Sequence, residues 1–186
     1  MRHIHRHRLL PRRPVISSHK QQAGFSLIEV MISVLVLSVG LLGLAALQVT
    51  ALQNNQSAFM RSQVSAMAYD IADRMRENIA AANGNFYDPA MAALRSNCDT
   101  TAGCTPQEMA QNDLAIWNDA ISSYLPMGQG FVCLDSTPLD GNDYGNPQCD
   151  GTGNQFAIKI WWDDDRDGLI NVTPSNAERF VISFKL

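Results

Sequence analysis

The sequence predicts an α+β fold, with one long N-terminal α-helix packed on a small C-terminal antiparallel β-sheet. Three observations predict it. From Phe25 to Leu47 an apolar run carries no proline and one charge, and beyond it apolar residues recur at helical spacing to about Ala82. Near the C-terminus two stretches alternate with a period of two, as half-buried strands do. Between them lie turn-rich segments with four cysteines. The elements divide the 186 residues into a basic leader (1–24), an apolar helical half (25–47), an amphipathic helical half (48–82) and a disulfide-containing α/β head with a C-terminal β-hairpin (83–186).

The leader explains the charge. The chain carries 14 Lys plus Arg against 18 Asp plus Glu, a net −4. Arg2, Arg6, Arg8, Arg12, Arg13 and Lys20 all precede Gly24, as do the four His, and no acid does. Residues 25–186 therefore hold eight basic residues against all 18 acids, a balance of −10. Such a body lacks the footprint of a nucleic-acid binder. Without His it also offers no imidazole to a catalytic triad or a zinc site.

The 23 residues Phe25–Leu47 would extend about 34 Å as a helix, enough to cross a bilayer core of about 30 Å. Six basic residues before the run and none until Arg61 after it set the leader in the cytoplasm and the body outside, which in a Gram-negative host is the periplasm. Three readings are open. The run is a signal anchor with Glu29 near the headgroups. Or it is a secretory signal cut near Gly43-Leu44-Ala45-Ala46, although it exceeds the usual apolar length of such signals. In the third, Gln22-Ala23-Gly24-Phe25-Ser26-Leu27-Ile28-Glu29-Val30 resembles the type IV prepilin signal. That resemblance implies cleavage between Gly24 and Phe25 by a prepilin peptidase, N-methylation of Phe25 and retention of the helix. It also implies a partner for Glu29, the amine of Phe25 on a neighbouring subunit. A carboxylate in an apolar helix needs a partner, and a buried pair can fix the register between sliding helices.

Beyond the membrane half, Met60, Val64, Met67, Ile71, Met75 and Ile79 form one stripe, with Asp70 and Arg74 paired on the polar side. Asn83-Gly84-Asn85 supplies the stop, so a continuous helix from Phe25 to about Ala82 would run about 87 Å. In the head, Thr105, Pro106 and Glu108 read as N-cap, N1 and N3 of a capping box. Leu114, Trp117, Ile121 and Tyr124 give the buried face of that helix, and Pro126 and Gly128 end it. Residues 130–134 form a short strand, and 135–154 a Gly/Asn/Asp/Pro loop. Phe156, Ile158, Ile160 and Trp162 line the apolar face of one strand, and Phe180, Ile182, Phe184 and Leu186 that of another, joined by residues 163–178.

Gly40-Leu41-Leu42-Gly43-Leu44-Ala45-Ala46-Leu47-Gln48, Asp70-Ile71-Ala72-Asp73-Arg74-Met75-Arg76-Glu77-Asn78 and the two closing strands resemble minor pilins of the type IV pilus modification protein PilV family. The resemblance implies the type IV pilin fold and a structural role, not an enzyme. It implies a chain anchored once in the inner membrane with its C-terminus in the periplasm, then carried into the pilus fibre. Its partners would be prepilin peptidase, other minor and major pilins, the inner-membrane assembly platform and a tip adhesin. It would prime assembly near the fibre tip and support adhesion and twitching motility. Two other classes remain. One is a minor pseudopilin of a type II secretion system, which shares this N-terminus. The other is a membrane-anchored periplasmic enzyme or binding domain, for which the sequence shows no acid–base or nucleophile constellation.

Four exported cysteines suggest two disulfides. Of three pairings, Cys98–Cys104 and Cys133–Cys149 are preferred, because each closes a turn-rich loop with little regular structure. The larger loop is stabilised by about 3 kcal/mol on chain-entropy reasoning. No C-x-x-C motif is present, and no cofactor is implied. Asp163, Asp165, Asp167 and Gly168 match the start of a calcium loop, but its twelfth position is Pro174 in place of Glu. The segment is therefore read as a solvated acidic hairpin turn and no metal is assigned, with calcium at Asp163, Asp165 and Asp167 as the lesser reading.

Overall fold

The computed structural model describes residues 24–173 and 176–186. The leader before Gly24 and Pro174 of the acidic loop lie outside the described residues. The chain divides into two units, Met1–Ala46 and Leu47–Leu186. Helix α1, Leu27–Glu77, runs through the boundary. It opens at Ser26, whose carbonyl accepts the N–H groups of Glu29 and Val30 at 3.0 and 3.3 Å.

The helix does not continue to Ala82 as the apolar pattern suggests. It ends at Glu77, and a separate short helix α2, Ile79–Asn83, follows. Asn78 makes the break. Its Oδ1 accepts the Ala81 N–H at 3.4 Å, and its Nδ2 donates to the Pro106 carbonyl at 2.8 Å. Asparagine offers the backbone such side-chain partners in place of the next helical turn. The Tyr87 hydroxyl also donates to the Arg74 carbonyl at 3.2 Å, in the last turn of α1. The stripe shifts accordingly. Met60, Val64, Ala68, Ile71, Ala72 and Met75 are buried, whereas Ile79, past the break, is exposed.

Helix α3, Pro106–Tyr124, starts on the capping box: Thr105 N–H donates to Glu108 Oε2 at 2.9 Å, and Glu108 N–H donates to Thr105 Oγ1 at 3.3 Å. The Thr105 N–H first, and then the Thr105 hydroxyl donating to the same oxygen at 3.0 Å, hold the Glu108 carboxyl below its ordinary range. Ala110, Leu114, Trp117 and Ile121 face the core. Tyr124, expected there, is exposed, and Leu125 in the extended C-cap fills that place. Gln111, Asn112 and Asp113 on the same helix are buried, and they tie down residues 87–95. Asn112 Oδ1 takes the Arg95 N–H at 2.8 Å, Gln111 Oε1 takes the Arg95 guanidinium, and Asp113 takes the Tyr87 hydroxyl at 3.0 Å and Arg74 at 3.1 Å.

Three strands follow: β1 Gln129–Leu134, β2 Phe156–Trp161 and, after a small hairpin of β3 Val172–Thr173 with β4 Asn176–Ala177, β5 Arg179–Phe184. The sheet order is β1-β2-β5, antiparallel throughout, with Val132 opposite Ile158 and Ile158 opposite Ile182. One sheet face, Val132, Phe156, Ile158 and Ile160, continued by Trp162, packs with the α1 stripe and α3 as a single core. The Trp117 indole N–H donates to the Met67 carbonyl at 2.9 Å, locking α3 to α1. Gly130 lets β1 pass under α3, since a Cβ there would lie 2.5 Å from both Trp117 and Ile121 side-chain atoms.

The alternation in β2 suggests one apolar face, yet β2 is buried on both. The loop of residues 135–150 covers the second face, over Ala157, Lys159 and Trp161. Lys159, fully buried, is its fastener. Its Nζ reaches Asp135 Oδ2 at 2.6 Å, Asp140 Oδ1 at 2.8 Å, the Pro147 carbonyl at 2.8 Å and the Asp140 carbonyl at 3.2 Å. Arg179 donates to the carbonyls of Leu139, Asp140 and Gly141. Cys133–Cys149 closes the loop, and Cys98–Cys104 closes the turn before α3.

Removing one member of a buried ion pair strands the other, at about 3–5 kcal/mol. Lys159→Met is expected to lower the unfolding free energy of the disulfide-intact protein by that amount, measured by urea titration. Burial first, and then the Asp113 carboxylate, push the Tyr87 hydroxyl above its ordinary pKa of 10.0. The folded chain thus holds a proton that the unfolded chain releases. The stability this confers is full below pH 10 and is lost as pH rises beyond it. Tyr87→Phe is expected to weaken the protein by about 1 kcal/mol at neutral pH. It is also expected to flatten the decline of melting temperature above pH 10, as read by calorimetry.

Candidate processing and assembly segment

The segment starts at Gly24. Gly24, Phe25 and Ser26 precede the helix, and among the described residues beyond its chain neighbours none comes within 4 Å of the place a Gly24 Cβ would take. Helix α1 begins at Leu27, so the backbone of Gly24, Phe25 and Ser26 lies ahead of its first turn. Phe25 is 84 % exposed. Glu29, in the first turn of α1, lies with Phe25, Val30, Ser33, Val34 and Leu37 along one shallow groove on the helix surface. A carboxylate in the first turn is favoured by the free N–H groups and the positive end of the helix dipole. Ser33 and Ser38 turn their hydroxyls back onto the Glu29 and Leu35 carbonyls, both at 2.7 Å, which leaves those polar groups satisfied within the helix.

From Gly24 to Gln56 every residue is exposed. Helix α1 is long and apolar enough to cross a membrane, and none of its most apolar 18-residue stretch is buried. A helix that is apolar all round must find an apolar surrounding, lipid or other helices. Between Phe25 and Leu47 only Glu29 is charged, so that carboxylate is the one charge able to distinguish one packing register from another.

Among the described residues, two groups of side chains in the head lie close enough to share a cation. The first is Cys133, Asp135 and Cys149, whose sulfurs are bonded to each other. The second is Asp163, Asp165 and Asp167, with oxygens within 4.8 Å of one another. In the latter, backbone N–H groups of the same loop occupy the carboxylates. Asp163 takes Asp167 N–H at 3.2 Å and Gly168 N–H at 2.9 Å, Asp165 takes Asp167 N–H at 3.2 Å, and Asp167 takes Leu169 N–H at 2.8 Å. The neighbouring Asp164 anchors the loop to α1, accepting from Ser57 Oγ at 2.5 Å and Trp162 Nε1 at 2.9 Å, with Arg61 at 3.6 Å.

Sequence reasoning passed over the groups that organise this end of the head. Glu178, fully buried, accepts the N–H groups of Asp164 and Asn171 and so pins both arms of the hairpin connection. Lys159 gave one signal, a lysine on a strand otherwise rich in large apolar residues, with Asp135 and Asp140 in the loop before it. Asp150 is held at about 2, by the Ser136 hydroxyl first and then by the Thr152 N–H. It caps the loop mouth where Ser136 and Thr152 meet.

Comparison with known families gives two matches. Residues 19–45 match the prokaryotic N-terminal methylation motif, and residues 46–115 match the type IV pilin Tt1218 family. Together they cover just over half of the chain. Neither the curated proteins nor the solved structures gave a match. The methylation motif implies processing by a prepilin peptidase and association with other pilins. It also points, with the apolar helix, to membrane anchoring followed by incorporation into a pilus. Subunits of this kind build fibres and are not enzymes. A methylation motif, a match to a type IV pilin domain and a long helix packed on a small antiparallel sheet together support a type IV pilin with the α+β pilin fold.

Proposed function

We propose that the chain is a minor pilin of the PilV type, which takes part in priming a type IV pilus and enters the fibre near its tip. The observation that carries the reading is the unburied apolar helix placed directly behind Gly24-Phe25, with Glu29 as its one charge. The chain inserts with its basic leader in the cytoplasm and its head in the periplasm. The peptidase cuts after Gly24 and methylates Phe25. The helix then leaves lipid for a bundle of pilin helices, where apolar contact changes little and the Glu29 pair with the Phe25 amine of a neighbour decides the register. Gly40 and Gly43 allow close approach of other helices. Adhesion and twitching motility depend on the protein through the fibres it helps to start. The second reading, a minor pseudopilin of a type II secretion system, rests on the same N-terminal segment.

The N-terminal peptide of protein purified from membranes is expected to begin with N-methyl-Phe25, as read by mass spectrometry. A start at Met1, or one after Ala46, rejects the reading. Glu29→Ala is expected to be cleaved normally yet to be at least tenfold depleted from sheared fibres, roughly the effect of about 1.4 kcal/mol in assembly. Equal recovery of variant and wild type in fibres removes the pairing role. Deleting the gene is expected to abolish surface pili and to spare protein secretion, whereas the reverse outcome selects the pseudopilin.

A further inference from the structure

A surface cleft of about 440 Å³ lies between α3, the start of β1 and the loop of residues 135–150, lined by Asn118, Asp119, Ser122, Gln129 and Tyr144. Gly128 and Gly130 also border it and contribute only backbone. A Cβ at Gly128 would lie 2.6 Å from the Ile121 carbonyl oxygen, and one at Gly130 2.5 Å from Trp117, so both positions stay bare for β1 to pass under α3. Asn118 and Ser122 are one helical turn apart on α3 and share a face, with Asp119 beside them. Tyr144 stands at the tip of a closed turn. Asn142 N–H donates to the Asn146 carbonyl at 3.3 Å, and Asn146 N–H donates to Asp143 Oδ1 at 2.9 Å. Phe131 of β1 meets the Tyr144 ring with centroids 5.7 Å apart and planes at 67°. The ring is thus held in place, yet it is 38 % exposed. Among the described residues, the side chains of Asn118, Asp119 and Gln129 have no hydrogen-bond or ion-pair partner, so their polar groups are left to solvent or a ligand.

The lining selects a class of ligand. No Lys, Arg or His borders the cleft, and its one charge is the Asp119 carboxylate. A phosphate, sulfate or carboxylate would meet that charge with no cation to offset it. A lone carboxylate does not make a site for a divalent cation. A purely apolar ligand would find a single ring and would strip water from the amides without replacing it. A sugar ring answers both parts of the surface. Its C–H groups pack on an aromatic face, which carries negative charge, and its hydroxyls both donate and accept. The Asn118 and Gln129 amides each offer a donor beside an acceptor, and Asp119 offers acceptors only. The Ser122 hydroxyl already donates to the Asp119 carbonyl at 3.0 Å and keeps its lone pairs for a donor. The volume lies within the range of small-molecule sites. We propose that this cleft binds a short neutral saccharide, stacked on Tyr144 and hydrogen-bonded by Asn118, Asp119 and Gln129. The site belongs to the head alone, so it holds for a pilus or a secretion pseudopilus and does not depend on Glu29.

The test uses the full chain in a zwitterionic detergent, so that no sugar headgroup competes, with lactose, maltotriose and chitotriose as probes. Saturation-transfer nuclear magnetic resonance is expected to show binding of at least one of them. Its affinity is expected to fall about tenfold in Tyr144→Ala and about threefold to tenfold in Asn118→Ala. Tyr144→Phe, which keeps the ring, is expected to bind within about twofold of the wild type. The proposal is overturned if none of the three sugars binds, or if Tyr144→Ala binds as the wild type does. If Tyr144→Ala does not fold, as read by far-ultraviolet circular dichroism, Gln129→Ala at an exposed position decides, and unchanged binding there overturns the proposal.

Discussion

Strand β2 must be covered on both faces, and most of the head follows from that requirement. A strand at the middle of a three-stranded sheet has its edges paired by neighbours, but its two faces need separate partners. The α1 stripe and α3 supply one cover through apolar packing of Ile71, Met75, Leu114, Trp117 and Ile121. The other cover is irregular chain, residues 135–150, which has little apolar surface to offer. Its carbonyls and carboxylates are therefore gathered by buried or half-buried cations, Lys159 and Arg179. Lysine acts here as a bound cation would, satisfying several backbone oxygens at once. Such a cluster brings less stability than apolar packing of similar volume, yet it fixes one arrangement of the loop, because each displaced oxygen would be left buried and unpaired.

The N-terminal half of α1 is built on the opposite rule. Its side chains bury nothing, and its only charge is Glu29. Apolar surface of that extent is stable in lipid and equally stable among similar helices, so transfer between the two requires little driving force. What such a surface lacks is selectivity, which in the proposed assembly would fall to the single carboxylate. The second half of the same helix is selective by shape, through Ala68 and Ala72, which admit close neighbours between larger residues. One helix thus carries two different ways of choosing its partners.

Signals held in contiguous residues were legible in the sequence. The methylation motif is one, since a processing enzyme reads a short linear segment. The Thr105–Glu108 capping box is another, since its two hydrogen bonds close within four residues. The α+β class followed from a helical period and a period of two. What was hidden depends on chain that returns from far away. Lys159 sits at a position the alternation assigns to solvent, and only the loop from 135 to 150 reverses that. Glu178 belongs to no pattern, and its worth lies in two amides, seven and 14 residues away. The break at Asn78 was concealed because its Pro106 partner is 28 residues on. Tyr124 kept the helical period but lost its place to Leu125, because the chain turns out of the helix there.

Were the head placed under tension, the loop would acquire a mechanical meaning. Cys133 and Cys149 are 16 residues apart in sequence but only 6.2 Å apart at their Cα atoms. Stretched, that segment would reach roughly 50 Å. While the bond is closed, load passes straight from β1 to the residues before β2, and the loop contributes no slack. Opened, it would become a tether whose first resistance is the grip of Lys159 on a few oxygens. Closing that one bond therefore withholds the segment between Cys133 and Cys149 from the length this head could yield under tension.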